Sequence, residues 1–214
     1  MKSLGKTRIS LAVITLFTAS WFMSCENDET NMELDNQQNT AISITDQEAL
    51  LFMLEEEKLA RDTYIYLDEL WGINQFANIQ ISEQSHLNTV ANLLDAFDIN
   101  YTIKPEGEFT NQEIQNLYDE FITDGTLSIT QALEVGATIE DLDIVDLQDY
   151  INITSNTALI SVFESLQCGS RNHLRSFVSA LENTGNTYTP QFLTVEEYEL
   201  IISDPNEQCG RQTF

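Results

Sequence analysis

Positive charge is scarce in this sequence: 9 Lys and Arg stand against 35 Asp and Glu, a formal net charge of −26 over 214 residues. That balance excludes duplex nucleic acid as a partner, because duplex binding needs cations that displace condensed counterions. It equally excludes docking of the acidic face on anionic lipid headgroups. Proline and glycine are also few, 3 and 8 residues, and alternating β-branched runs are rare, so the composition favours helix over sheet. No internal repeat occurs. What is present is apolar mass: hydrophobic residues make up 42% of the chain, enough for a packed core and too much for a disordered acidic tail.

The chain opens with Lys2, Lys6 and Arg8 and no acid, followed by an apolar run from Ile9 to Met23 and then Ser24-Cys25. A basic start, a short apolar stretch and a small residue before the cut read as a secretory signal over residues 1–24. The run is short for a membrane span of about 20 residues. Phe22-Met-Ser-Cys25 resembles a bacterial lipobox, in which Cys25 carries the lipid and becomes the first mature residue; ordinary secretion with cleavage nearby is the alternative. Residues 25–42 are polar, acidic and nearly free of apolar anchors, and read as a disordered tether. The expected location is a membrane-anchored lipoprotein of the bacterial envelope, on the outer membrane, facing either the periplasm or the surface. With Cys25 lipidated, Cys168 and Cys209 remain as an even pair, which an oxidising compartment permits to form a disulfide; two free thiols are the alternative.

From residue 43 to 214 the pattern is helical. Thr45-Asp-Gln-Glu48 has the form of a capping box, with Thr45 as N-cap. Leu50, Met53, Leu54, Glu57, Ala60, Tyr64, Leu67 and Trp71 then recur at helical spacing, with Gly72 as a stop. A second helix is expected over residues 75–97, a short one near 111–121, a third long one from the N-cap Ser128 to about Tyr150, a fourth over 156–181 and a short terminal one over 195–202. Two short-linked helices, a long crossover and two more helices make an all-α, up-down four-helix bundle. Each long helix carries a carboxylate or imidazole on its own apolar stripe: Glu57; Glu83 and His86; Glu140 and Asp143; His173. A buried lone charge costs several kcal/mol even after relaxation, so four such stripes need a shared reason. Paired ions or a metal would supply it. The only two histidines of the chain are among these residues. Glu83-Gln-Ser-His86 is a Glu-x-x-His motif, which sets both side chains on one face; oxygen and imidazole donors suit iron, manganese or zinc.

Glu57-Lys-Leu-Ala-Arg-Asp-Thr-Tyr64 resembles the first-helix motif of rubrerythrins and ferritins, a ligand Glu followed by Tyr two turns on. The stretch from Asp46 to Ile202 is similar to an uncharacterised ferritin-like family of bacteria and archaea. The strings that carry this likeness are Glu55-Glu-Glu-Lys-Leu-Ala-Arg-Asp62, Glu83-Gln-Ser-His86, Ile139-Glu-Asp-Leu-Asp-Ile144, Gly169-Ser-Arg-Asn-His-Leu-Arg175 and Pro190-Gln-Phe192. The resemblance implies a di-metal centre, with two iron ions first and manganese or zinc as substitutes, and with oxygen or peroxide as reactant. The ferritin-like plan takes a Glu from each of two helices and a Glu-x-x-His from each of the other two. This chain departs from it, with Ser170 where the fourth-helix Glu is expected and Asp143 as an added acid one turn beyond Glu140. The implied ligands are Glu57, Glu83, His86, Glu140, Asp143 and His173. The alternative role for Asp143 is to orient His173 as an acceptor. Tyr64 is expected either to pack in the core or to bond a ligand carboxylate, and Arg61 and Arg171 either to pair with surplus buried acids or to form surface ion pairs. No rubredoxin-like Cys-x-x-Cys is present. The alternative function is a non-catalytic metal-binding or protein-interaction lipoprotein.

Overall fold

A computed structural model of the chain describes residues 42–210, so Cys25, the signal segment and nearly all of the tether lie outside the described residues. Six helices and no strand occur among the described residues: α1 (Ile44–Trp71), α2 (Asn74–Ala96), α3 (Gln112–Gly125), α4 (Ile129–Ile153), α5 (Thr157–Asn183) and α6 (Val195–Ser203). The fold is all-α, and none of these helices is long and apolar enough to cross a membrane.

The N-cap of α1 is Ser43 and not Thr45: the Ser43 hydroxyl accepts from Asp46 N at 3.0 Å, which leaves Thr45 inside the first turn. Ser43 is extended (φ −68°, ψ 157°), the backbone state that aims a cap oxygen at the first free amides. Ser128 caps α4 as expected, accepting from Gln131 N. The capping box occurs instead at α6, between Thr194 and Glu197. Gly72 ends α1 in the left-handed region at φ 62°, where glycine carries no Cβ penalty.

Every pair of neighbouring long helices runs antiparallel, as the contacts show. Tyr64 of α1 packs against Phe76 of α2, while Glu57 meets His86. Tyr64 also reaches Glu140 of α4, while Phe52 meets Tyr150. Phe76 meets Phe177 of α5, while Ser82 meets His173. α2 therefore ends beside the start of α1, whereas α4 begins beside its end, where Trp71 Nε1 donates to Gly125 O at 2.9 Å. The link between α2 and α4 must traverse the length of the bundle, and α3 lies within it. α1 pins this crossover. Glu55 accepts from Thr110 N and Asn111 N at 2.8 and 2.6 Å. Lys58 donates to the carbonyls of Pro105 and Glu108, and Asp62 accepts from Gly107 N.

The apolar interior is divided in two. One cluster gathers Leu59, Tyr64, Leu67, Phe76, Ile139 and Phe177; the other gathers Leu50, Met53, Leu87, Leu94, Leu147 and Phe163. Each such side chain contributes about 1.5–3 kcal/mol on full burial. Between the clusters, each long helix turns polar at mid-length: residues 55–58, 83–86, 140–143 and 167–173. The mid-bundle layer is where the candidate ligands meet.

Candidate metal centre

The three consecutive acids of α1 are all buried, with Glu55, Glu56 and Glu57 only 9%, 1% and 2% exposed. A helix surface holds three acids in a row without penalty; here α1 is wrapped by α2, α4 and the crossover, so each acid meets a different neighbour. Glu55 holds the crossover amides, as described. Glu57 faces α2, and its Oε2 lies 3.2 Å from His86 Nδ1.

Glu83 of α2 is the hub. Its Oε2 lies 2.9 Å from His86 Nδ1 and its Oε1 lies 2.7 Å from His173 Nδ1. Glu140 of α4 places Oε2 3.4 Å from the same His173 nitrogen. Two triads result, Glu57–Glu83–His86 and Glu83–Glu140–His173, each with ligand atoms within 4.8 Å of one another, a grouping that can hold a metal ion. Glu83 belongs to both. The two imidazoles stack with centroids 5.5 Å apart.

The donor atoms are short of hydrogen-bond partners. Glu57 Oε1, Glu83 Oε1 and His173 Nδ1 are fully buried and make no hydrogen bond. Glu83 Oε1 and His173 Nδ1 lie 2.7 Å apart yet out of hydrogen-bond alignment. Buried polar atoms in native proteins are almost always paired, and donors left in this state across three helices fit a bound cation. Supporting contacts fix the ligands from behind. Ser82 Oγ lies 3.0 Å from His173 Nε2, which leaves Nδ1 as the nitrogen that faces the candidate ligands. Tyr64 donates to Glu140 Oε1 at 2.6 Å. At Gly169 of α5 an added Cβ would fall 2.7 Å from His86 Cε1 and Nε2, so the absent side chain is what admits the His86 ring.

The electrostatics follow from burial and crowding. Burial lifts the Glu57 carboxyl to about 7 against the opposing pull of His86. Burial also raises Glu140 and, with the Glu57 charge, Asp143. Burial alone would lower both imidazoles, but the neighbouring carboxylates outweigh it: Glu83 and Glu57 raise His86, and Glu83 and Glu140 lift His173 to about 10. Glu83, also disfavoured by burial, is held well below the carboxylate range by the two histidines.

The structure thus brings together Glu57, Glu83, His86, Glu140 and His173, with Tyr64 bonded to one of them. Asp143 is buried beside them but belongs to neither triad; its Oδ2 accepts from Ser170, the residue that stands where a fourth-helix Glu was expected, and its Oδ1 has no partner. Arg171 does not reach the centre. It pairs with Glu207 of the C-terminal tail and with Gln167, because its position on α5 points toward the tail that the Cys168–Cys209 disulfide fastens there. Arg61 pairs with Asp62 and Gln84. Sequence reasoning missed Ser82, Gly169 and Glu56. Ser82 and Gly169 become visible only once the α2–α5 register is known. Glu56 lay hidden in an acidic run that resembles a solvated face.

Residues 46–205 match the family described as "Uncharacterized protein domain (DUF2202)". The chain is similar to "Uncharacterized protein MJ0754" of Methanocaldococcus jannaschii, 47% identical over 169 residues, which span 78% of this chain and 91% of that protein. It is also similar in structure to the crystal structure of hypothetical protein MJ0754, with a TM-score of 0.77 over 78% of this chain and 96% of that chain. On the extent of these matches, the chain belongs to the DUF2202 family.

Proposed function

We propose that this protein is a ferritin-like di-metal carboxylate protein, with iron as its first candidate metal, and that it carries out redox chemistry with oxygen or peroxide. The observation that carries this reading is Glu83, whose two oxygens each approach a different histidine. A carboxylate shared between two Glu–His triads is the arrangement a pair of bridged ions requires. The donor set, carboxylate oxygen and imidazole nitrogen, matches iron, manganese and zinc, and follows the Glu and Glu-x-x-His plan of di-metal bundles except at Ser170 and the added Asp143. Glu57 and His86 would hold one ion, Glu140 and His173 the other, and Glu83 would join both. Bound iron would supply one-electron exchange with oxygen or peroxide. The chain's own contribution is to fix the ligands through Tyr64 and Ser82, to seat His86 against Gly169, and to exclude bulk water with the apolar clusters on both sides.

We also read the protein as an exported lipoprotein anchored through Cys25, on the strength of the N-terminal pattern; the Cys168–Cys209 disulfide suits an oxidising compartment. Mass spectrometry of the mature N-terminus, with Cys25→Ala as control, tests this: an unlipidated wild-type chain rejects it.

Elemental analysis of the purified protein tests the centre. About two ions per chain, lost in His86→Ala/His173→Ala, is the expected result. Wild-type protein that holds no metal after anaerobic ferrous reconstitution rejects the reading. Oxidation of added ferrous iron that depends on oxygen or peroxide then separates an enzyme from a non-catalytic binder.

A further inference from the structure

The Cys168–Cys209 disulfide has no part in the chemistry proposed above, yet it lies one residue from the seat of a candidate ligand. Residues 168–175 of α5 work on two faces. Gly169 admits the His86 ring, Ser170 bonds Asp143, and His173 faces Glu83 and Glu140. Cys168, Arg171, Asn172 and Arg175 recur at the i, i+3, i+4, i+7 spacing of a single stripe, and all four grip the C-terminal tail. Glu207 is the tail's anchor. Its carboxylate accepts from Arg171 Nε at 2.7 Å and from Arg175 at 3.0 Å, and its backbone N–H and carbonyl bond the Asn172 side chain at 2.8 and 3.1 Å. The disulfide closes the strap two residues on. A glycine inside a helix weakens it locally, and Gly169 has no side chain with which to hold α5 against α2. The strap supplies that hold from the other face of the same turn.

We propose that this disulfide is a redox-operated clamp on the metal centre. This rests on the centre proposed above and adds its regulation. Closed, the clamp fixes the turn of α5 that seats His86 and carries His173. Opened, it leaves the tail held by Glu207 alone, and that turn loses its fixed position. Both ion pockets then weaken, because His86 belongs to one triad and His173 to the other. Opening needs a dithiol reductant. Cys209 is exposed and Cys168 is buried, so the reductant's thiolate attacks the Cys209 sulfur and the Cys168 sulfur leaves. The reductant's second thiol then displaces Cys209 and closes a disulfide of its own. Two electrons and two protons pass from the dithiol to the two cysteines, and the metal takes no part in the exchange.

The test compares the oxidised protein, the dithiothreitol-reduced protein freed of reductant, and Cys209→Ser, which opens the strap with no reductant present. Each is titrated with Mn²⁺ alone, well below its melting temperature. Both open forms are expected to keep their helical circular dichroism and to bind Mn²⁺ roughly tenfold or more weakly, the order seen when ligand orientation is disturbed. Linkage is reciprocal, so saturating Mn²⁺ should shift the dithiol–disulfide equilibrium toward the closed form by the same overall factor, about 30 mV per tenfold. A bond that only stabilises the fold would lower the melting temperature when opened and move neither reading. Oxidised-form affinity in both open forms, or an equilibrium unmoved by Mn²⁺, overturns the clamp while leaving the centre intact. Loss of helix on reduction overturns it too, because the bond then acts on the whole bundle and not on one turn of α5. Oxidised protein that takes up no Mn²⁺ rejects the centre and the clamp together.

Discussion

The ring of His86 fills the space that a side chain at Gly169 would occupy, with Cε1 and Nε2 both 2.7 Å from where a Cβ would stand. The two residues lie on different helices, so the smallest residue of α5 sets the position of a candidate ligand on α2. Gly169→Ala must push the His86 ring away from Glu57 and Glu83. The expected effect is a metal affinity about 10–100-fold weaker, the range seen when ligand orientation is disturbed. Titration calorimetry with Mn²⁺ reads it directly; wild-type affinity in the variant would show that α5 does not position His86.

Tyr64→Phe removes the hydroxyl that donates to Glu140 at 2.6 Å. Glu140 is 2% exposed, so no water replaces the lost donor. Metal-free protein should lose about 1–3 kcal/mol of unfolding free energy. The loss should shrink when metal is bound, because a cation then shares the Glu140 charge. Urea titrations with and without metal compare the two; an equal loss in both states would confine Tyr64 to core packing.

The metal-free protein should become less stable as pH rises. The Glu57 carboxyl is lifted in the folded chain from an ordinary 4.5 to about 7. Its folded form binds the proton more tightly than the unfolded chain does, so that stability is present below 4.5 and lost as pH approaches 7. His173, lifted from 6.5 to about 10, has the same sign over a higher window. Glu83 has the opposite sign, but its contribution is already complete above the ordinary carboxylate range. Melting temperature in a chelator should therefore fall between about pH 5 and pH 9. The rise in melting temperature on adding Mn²⁺ should grow over the same range, since metal displaces protons from its ligands. A flat or rising chelator series would contradict this assignment of charge.

Asp141 accepts from Tyr188 OH and from the amides of Gln191, Phe192 and Leu193, and it is fully buried. Asp141→Ala strands these donors and should cost roughly 3 kcal/mol. Hydrogen exchange should accelerate in residues 188–193, with metal content unchanged. Loss of metal instead would tie the tail segment to the centre.

How much of this was legible without coordinates differs from residue to residue. The all-α bundle, its long crossover and the helix bounds follow from apolar spacing and caps, because those signals are local. Glu83 and His86 were legible because they share a helix face. Glu57, Glu140 and His173 were legible because a charge on an apolar stripe is locally anomalous. The α1 cap was misplaced because Ser43 and Thr45 compete within one turn, and only backbone direction decides between them. Of the two roles open to Arg171, the partly exposed ion pair holds; its partner Glu207 was not legible because it belongs to a tail whose path the sequence pattern does not state. Asp141 shows the same boundary. The strings around residues 139–144 and 190–192 both stand out in the sequence, but their joining by hydrogen bonds is a tertiary fact.

The two triads do not draw on the fold equally. Glu57, Glu83 and His86 all lie in the α1–α2 hairpin, whose halves are separated only by Gly72 and Ile73. Glu83, Glu140 and His173 take one residue from that hairpin and two from α4 and α5. A nascent chain can thus assemble the first ion pocket from neighbouring sequence, whereas the second exists only after the two hairpins have met. Occupancy of the second pocket would accordingly gauge docking between the hairpins, and an ion held there would act as the last clasp of the tertiary structure.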